Sequence, residues 1–222
     1  MNKIYEVVSK IIFLSLICIT ISYGKHYCIR EDYRVRTSYR YCDKRGDGKG
    51  ESQHEVYLLA LEIAKENNYK KIVDLGCGSG FKLINYFSEF ETIGFEVKKT
   101  FDWLRKKHPN RRWELSDFNK PFNEPVDLVI CSDVIEHILN PDALLKWISL
   151  LDCKTIVIST PDRTILSRNN PQRELGPSPN PFHIREWNFQ EFAKYISQWF
   201  AIVDHKHMVK QIDCQVVVCT FK

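Results

Sequence analysis

Lys71-Ile72-Val73-Asp74-Leu75-Gly76-Cys77-Gly78-Ser79-Gly80 is a short apolar strand pattern that runs straight into three glycines at alternate positions. Glycine lacks a Cβ, so it allows a tight turn and lets a ligand approach the main chain. A helix starting just after such a turn offers that ligand its unpaired N–H groups. The stretch therefore reads as a cofactor-binding strand-to-helix turn.

The spacing narrows the ligand. A nicotinamide or flavin fingerprint reads G-x-G-x-x-G and rests a pyrophosphate on the helix N-terminus. Here Gly76, Gly78 and Gly80 give G-x-G-x-G. Asp74, near the strand end, repels a pyrophosphate but accepts hydrogen bonds from an ammonium. A cofactor with a cationic amino-acid end fits better. Beyond Gly80, Leu83, Ile84, Tyr86 and Phe87 continue as a helix, and the next apolar run ends at Glu96, eighteen residues past Gly78. An acid about 20 residues beyond such a turn suits the adjacent hydroxyls of an adenosine ribose. The competing reading of Glu96 is a solvated acid at a strand end. A third strand pattern over residues 112–118 closes on Asp117 and Phe118.

Residues 126–133, Val-Asp-Leu-Val-Ile-Cys-Ser-Asp, form a continuous apolar run, as expected of a parallel strand covered on both faces. Open α/β sheets bind ligands at the carboxyl ends of their strands. Ser132, Asp133, Glu136 and His137 therefore face the ligand.

The glycine string resembles motif I of class I S-adenosylmethionine-dependent methyltransferases, hydrophobic-hydrophobic-D-hydrophobic-G-C-G-x-G. Asp133-Val134-Ile135-Glu136-His137 resembles the D-V-hydrophobic-E-H segment of small-molecule O-methyltransferases, including the ubiquinone-biosynthesis type. The resemblance implies a Rossmann-like, seven-stranded, mostly parallel sheet with helices on both faces and a C-terminal antiparallel hairpin. It implies S-adenosyl-L-methionine as cofactor, held by Asp74, Gly76, Cys77, Gly78, Gly80, Glu96, Ser132 and Asp133. Asp117 would meet the adenine amino group, and Phe118 would pack on the ring.

Methyl transfer from a sulfonium needs an in-line nucleophile about 3 Å away, so positioning supplies much of the catalysis. A hydroxyl acceptor also gains from losing its proton. His137 is a candidate base, with Glu136 orienting it or binding substrate; the plainer reading makes His137 a packing residue at a helix start. Residues 155–161 close a fifth strand, after which residues 169–181 hold four prolines and three asparagines, a composition that excludes helix. So long a connection points to a binding loop. The pattern T-P-D-R…N-P-x-H-x-R-E-W looks like one in bacterial methyltransferases of surface-polysaccharide and glycan clusters. On that likeness Asp162, Arg163, Arg185 and Glu186 are candidate substrate residues, and His183 is a second candidate base. The alternative is that Arg163 and Glu186 pin the loop.

The 222 residues, 44% hydrophobic and 13% aromatic, suffice for one α/β domain over residues 52–222. A helix over 53–68, with Val56, Leu58, Leu59, Leu61, Ile63 and Ala64 as its apolar positions, precedes the first strand. A second helix over 188–199 and two strands, 200–204 and 214–221, close the chain. Net charge +4 and a pI near 8.5 are mild, which argues for a small-molecule or glycan acceptor over nucleic acid. Residues 27–41 depart from this by interleaving arginines with tyrosines, as a base-stacking surface or as an arm, residues 25–51, draped over the site. The eight cysteines show no ligand spacing, so no metal is expected, and Cys28 with Cys42 would pair only in an oxidising compartment. Residues 1–24 carry Lys3, Lys10 and an apolar run over 11–22, the composition of a signal peptide or, over 7–23, of a short membrane anchor. Three resolutions stand: a membrane anchor over 7–23 with the enzyme in the cytosol, export to a compartment that holds the cofactor, or a start site assigned too early. Dependence on a cytosolic cofactor favours a cytoplasmic catalytic domain, with or without that anchor.

Overall fold

The apolar run at the centre of the glycine string forms β1 (Lys71–Leu75), whose last four residues are buried. In the computed structural model, which describes residues 30, 32–35, 53–169, 174, 177–208 and 213–222, this strand lies inside a seven-stranded sheet. On one side it pairs in parallel with β2 (Glu91–Glu96), which pairs with β3 (Arg112–Leu115). On the other side it pairs in parallel with β4 (Val126–Ser132), which pairs with β5 (Cys153–Pro161). The sheet ends with β7 (Cys214–Thr220), antiparallel to β5, and β6 (Ala201–Met208), antiparallel to β7. The order β3-β2-β1-β4-β5-β7-β6 reverses direction between β1 and β4, so the carboxyl ends of those two strands bound the crevice in which such folds hold ligands.

Alternation along the strands divides the apolar residues between two cores. Ile72, Leu128, Ile130, Val157 and Val216 pack on one face with α1 (His54–Glu66) and with Leu83 of α2 (Phe81–Asn85). Leu104 of α3 (Lys98–Lys107) joins them. Val73, Val129, Cys131, Ile156, Ile158 and Val217 pack on the other face with α4 (Pro141–Ser149) and α6 (Phe189–Ile196). Helices on both faces are the physical reason that β4 and β5 read as unbroken apolar runs. The four positions of α1 that bury fully are Val56, Tyr57, Ala60 and Ala64, whereas Leu58 is exposed.

Three sequence readings are corrected. The strand read over 200–204 runs on to Met208: among the described residues β6 pairs only with β7 and forms the sheet edge, so Asp204, His205, Lys206 and His207 need no apolar neighbour on the open side. After Pro161 the chain enters α5 (Arg163–Ser167) at once, because Asp162 caps it by accepting from Thr164 N at 2.9 Å and Ile165 N at 3.2 Å. Within 169–181, Glu174 is helical, contrary to the compositional reading of that stretch.

Cys77, Cys131, Cys153, Cys214 and Cys219 are free and buried. Segment 1–24, most of the 25–51 arm, and Cys28 and Cys42 lie outside the described residues. Among the described residues no helix is long and apolar enough to cross a membrane.

Candidate functional site

Gly76, Gly78 and Gly80 all take positive φ, at 78°, 58° and 72°. The turn is tied to β2: Gly76 N and Cys77 N donate to Phe95 O, at 2.9 and 3.2 Å, and Gly78 N donates to Glu96 Oε1 at 2.9 Å. Glu96 Oε2 accepts from Val97 N at 2.7 Å. Glu96 is buried, so it fixes the turn against the end of β2. Burial pushes the Cys77 thiol well up, which leaves it a packing residue in the turn.

Asp74 is buried at the end of β1, where Tyr57 Oη donates to Oδ1 at 3.1 Å and Oδ2 at 2.9 Å. Burial pushes its carboxyl up to about 7, against the pull of Tyr57 and Lys82. Asp133, at the end of β4, holds φ 51°; its Oδ1 accepts from Ser159 Oγ at 2.8 Å and its N–H donates to Ser159 O at 3.1 Å. Ser132 Oγ meets the same Ser159 hydroxyl at 2.9 Å. Asp117, half-exposed past β3, is held below the usual carboxylate range by the Asn119 N–H and by Lys120. Phe118 packs near Trp147, with centroids 5.7 Å apart. Two acids at the switch point, three left-handed glycines and a buried glutamate fit a ligand with an ammonium at one end and a ribose diol at the other.

The pKa of Asp74 sets a pH dependence. A folded value near 7 lies above the roughly 3.9 of an unfolded aspartate, so the ligand-free fold binds the extra proton across that interval. Stability from this group is whole below about pH 4 and is lost as pH rises through 7. Asp74→Asn is expected to raise the ligand-free melting temperature at pH 8 by several degrees and to change it little at pH 4.5. A melting temperature below wild type at pH 8 would contradict this.

Next to this crevice the 3₁₀ turn Ile135–His137 meets the segment 178–187. Ile184 N donates to Glu136 O at 2.9 Å, and Tyr33 Oη donates to His137 O. Arg30 N and Arg34 N donate to Ile184 O and Pro181 O, both at 2.8 Å, so the described part of the arm lies along the same segment. His137 Nδ1 is 2.6 Å from Phe182 O, a pure acceptor, which places the proton on Nδ1 and makes Nε2 the acceptor nitrogen of the ring. His183 Nδ1 faces Glu186 Oε1 at 2.7 Å, and its Nε2 accepts from Asn180 Nδ2 at 2.9 Å. The two imidazoles meet edge-on at 4.8 Å.

Glu136 completes the group. It is fully buried; Oε2 accepts from Thr160 Oγ1 at 3.1 Å, while Oε1 has no hydrogen-bond partner among the described residues and lies 3.8 Å from His137 Nε2. Burial, and then the charge of Asp133, push its carboxyl well above the ordinary range. One ligand atom from each of Glu136, His137 and His183 falls within 4.8 Å of the other two. These three residues can hold a cation. The absence of a metal was expected from cysteine spacing, which does not bear on a carboxylate and two imidazoles joined from distant segments.

Of the expected substrate residues, Asp162 and Arg163 are placed elsewhere. Asp162 is buried, capping α5 and taking His207 Nε2 at 3.0 Å on Oδ2. Arg163 is 1% exposed, with Nη1 on Glu186 O at 2.8 Å and Nη2 on Glu191 Oε1 at 2.7 Å, so it fastens the loop. Glu186 is buried and orients His183, taking Ser178 Oγ at 2.7 Å on the same oxygen. Arg185 lies over Trp187 at 5.8 Å. Sequence reading missed Gln53, Tyr57, Lys82, Asn180, Ser159 and Thr160. Only Ser159 and Thr160, at the carboxyl end of a central strand, carried a positional signal.

A family model described as a methyltransferase domain matches residues 50–218. A small RNA 2'-O-methyltransferase of Arabidopsis thaliana is 28% identical over 181 residues, covering 67% of this chain but 19% of the relative, so the chain spans about a fifth of that protein. An S-adenosylmethionine-dependent methyltransferase from Clostridium acetobutylicum ATCC 824 superposes with TM-score 0.60 at 16% identity, over 81% of this chain and 95% of its own. Magnesium protoporphyrin IX methyltransferase from Synechocystis PCC 6803, solved with bound S-adenosylhomocysteine, gives TM-score 0.59 at 16% identity, over 81% and 92%.

Proposed function

The chain belongs to the methyltransferase-domain family and is an S-adenosylmethionine-dependent enzyme, and from that premise we propose that it methylates a sugar hydroxyl beside a divalent cation held by Glu136, His137 and His183. The cofactor supplies a methyl carbon on a cationic sulfonium, open to in-line attack. The glycine turn, Asp74, Glu96 and Asp133 hold it at the switch point. The observation that carries the acceptor side is Glu136 Oε1, a buried carboxylate oxygen with no hydrogen-bond partner among the described residues, 3.8 Å from the Nε2 atom of His137.

A buried carboxylate is expensive unless a cation or donor meets it. Both imidazoles have Nδ1 committed, His137 to Phe182 O and His183 to Glu186, the arrangement that orients histidines toward a metal through Nε2. Asn180 has to release His183 Nε2 for this. One oxygen and two nitrogens suit divalent manganese, cobalt or zinc. An acceptor hydroxyl beside such a cation loses its proton more readily.

A free sugar or glycan precursor is the first reading, supported by the likeness of the 160–187 pattern to glycan-cluster methyltransferases. The second, a ribose 2'-hydroxyl in RNA, is favoured by the similarity to the small RNA 2'-O-methyltransferase. Mild net charge therefore does not count against nucleic acid. The test is transfer from methyl-labelled cofactor to sugar nucleotides, glycans and short RNAs, with and without chelator. Label on a sugar oxygen, lost with EDTA and restored by Mn²⁺, is the expected result. Label on a base nitrogen or on protein overturns the acceptor assignment, and transfer indifferent to EDTA returns His137 and His183 to the part of general base.

A further inference from the structure

We propose, resting on the S-adenosylmethionine reading above, that Lys82, placed by Gln53 and Tyr57, anchors the α-carboxylate of the cofactor's methionine end. Lys82 lies on α2, two residues past Gly80, and is 9% exposed. A buried ammonium is costly unless negative charge or aligned dipoles surround it. Its Nζ lies 3.5 Å from Gln53 Oε1 and 5.1 Å from the centroid of the Tyr57 ring. Gln53 is itself buried, adopts φ 77°, and donates from Nε2 to Ser132 O at 3.2 Å, fixing the head of α1 against the end of β4. Tyr57, one turn on, holds Asp74 at the end of β1.

These contacts gather opposite charges into one corner of the crevice, where the strand order reverses. Asp74 and Asp133 are the acids of that corner, and Lys82 is close enough to draw the carboxyls of both downward. Glu96, across the glycine turn, adds negative charge that acts on Asp74. An amino-acid terminus carries an ammonium and a carboxylate on one carbon. Such a group sets its cation against the acids and its anion against Lys82, so each ligand charge meets a partner of opposite sign in a site of low dielectric. Adenine and ribose contacts do not read that carboxylate, so Lys82 gives the site selectivity for the intact amino acid over adenosine fragments. A plain charge-balancing part for Lys82 makes no such distinction.

Calorimetric binding to the full chain separates the two, with S-adenosylhomocysteine and the analogue that lacks only the carboxyl group as probes. Wild type is expected to bind the intact ligand roughly tenfold to a hundredfold more tightly than the decarboxylated one. Lys82→Met should erase that preference by weakening the intact ligand alone, and Lys82→Arg should keep most of it. Equal binding of both ligands by wild type, or a methionine variant that retains the preference or weakens both ligands alike, overturns the assignment. If the methionine variant does not fold, the wild-type preference and the arginine variant still decide. Wild type that binds neither ligand refutes the cofactor reading itself, a result distinct from failure at Lys82.

Discussion

His183→Ala and Glu136→Gln are each expected to lower methyl transfer by about a hundredfold or more while leaving S-adenosylhomocysteine affinity within a few-fold of wild type. The split follows from placement. Glu96 and Asp74 lie at the carboxyl ends of β2 and β1, whereas Glu136 follows β4 and His183 arrives on the loop after β5, tied to the 3₁₀ turn by Ile184 N on Glu136 O at 2.9 Å. Loss of a metal ligand or of a general base costs on the order of a hundredfold or more in rate. Excess Mn²⁺ should rescue a weakened cation site in part, and it has no means of rescuing a missing base. Glu186→Gln is the companion variant. It keeps an acceptor for His183 Nδ1 but removes the charge, so about tenfold weaker apparent metal affinity is expected, with little change at saturating metal. Cofactor binding that collapses together with activity in His183→Ala would refute the division of the site.

Gly80→Ala is expected to destabilise the fold by about 3 kcal/mol, as the sum of two costs. Gly80 holds φ 72°, where a Cβ costs roughly 1–2 kcal/mol. That Cβ would also stand inside van der Waals contact of Trp113 Cη2, 3.0 Å from Cζ3 and 3.2 Å from Leu104 Cδ2. Trp113 is held by its indole N–H on His108 O at 3.0 Å, so it gives way only by losing that bond, and overpacking of this kind typically costs about 1–3 kcal/mol. In a chain of this size the melting temperature should fall by roughly 6–12 °C. A fall under about 2 °C would show that the turn relaxes around the methyl group.

The glycine string and the two central strands were legible because each demand acts locally. Alternating glycines mark a turn, and a strand covered on both faces reads as a near-continuous apolar run, as β4 does with six of its seven residues buried. The edge was harder to read. Asp204 to His207 look like a turn by composition, and only the place of β6 beside β7 alone makes that polarity compatible with a strand. The burial of Asp162 and Arg163 and the Glu191 contact are properties of packing and leave no local mark, so the pattern resemblance at 160–187 carries no sign of them. The Glu186 contact of His183 is visible as a spacing of three residues, but its depth of burial is not.

By itself the sequence determined the strand-turn-helix unit at residues 71–80, the class of cofactor it serves, and the acids at positions 74, 96 and 133, since each follows from one short segment and its neighbours. The tertiary structure decided the rest. Crossing from β4 to the loop after β5 brings Glu136 and His137 against His183, and seating α1 over β1 and β4 brings Gln53 and Tyr57 to Lys82. Both groupings join residues far apart in the chain, and such proximity is fixed by strand order and packing, which no single segment encodes.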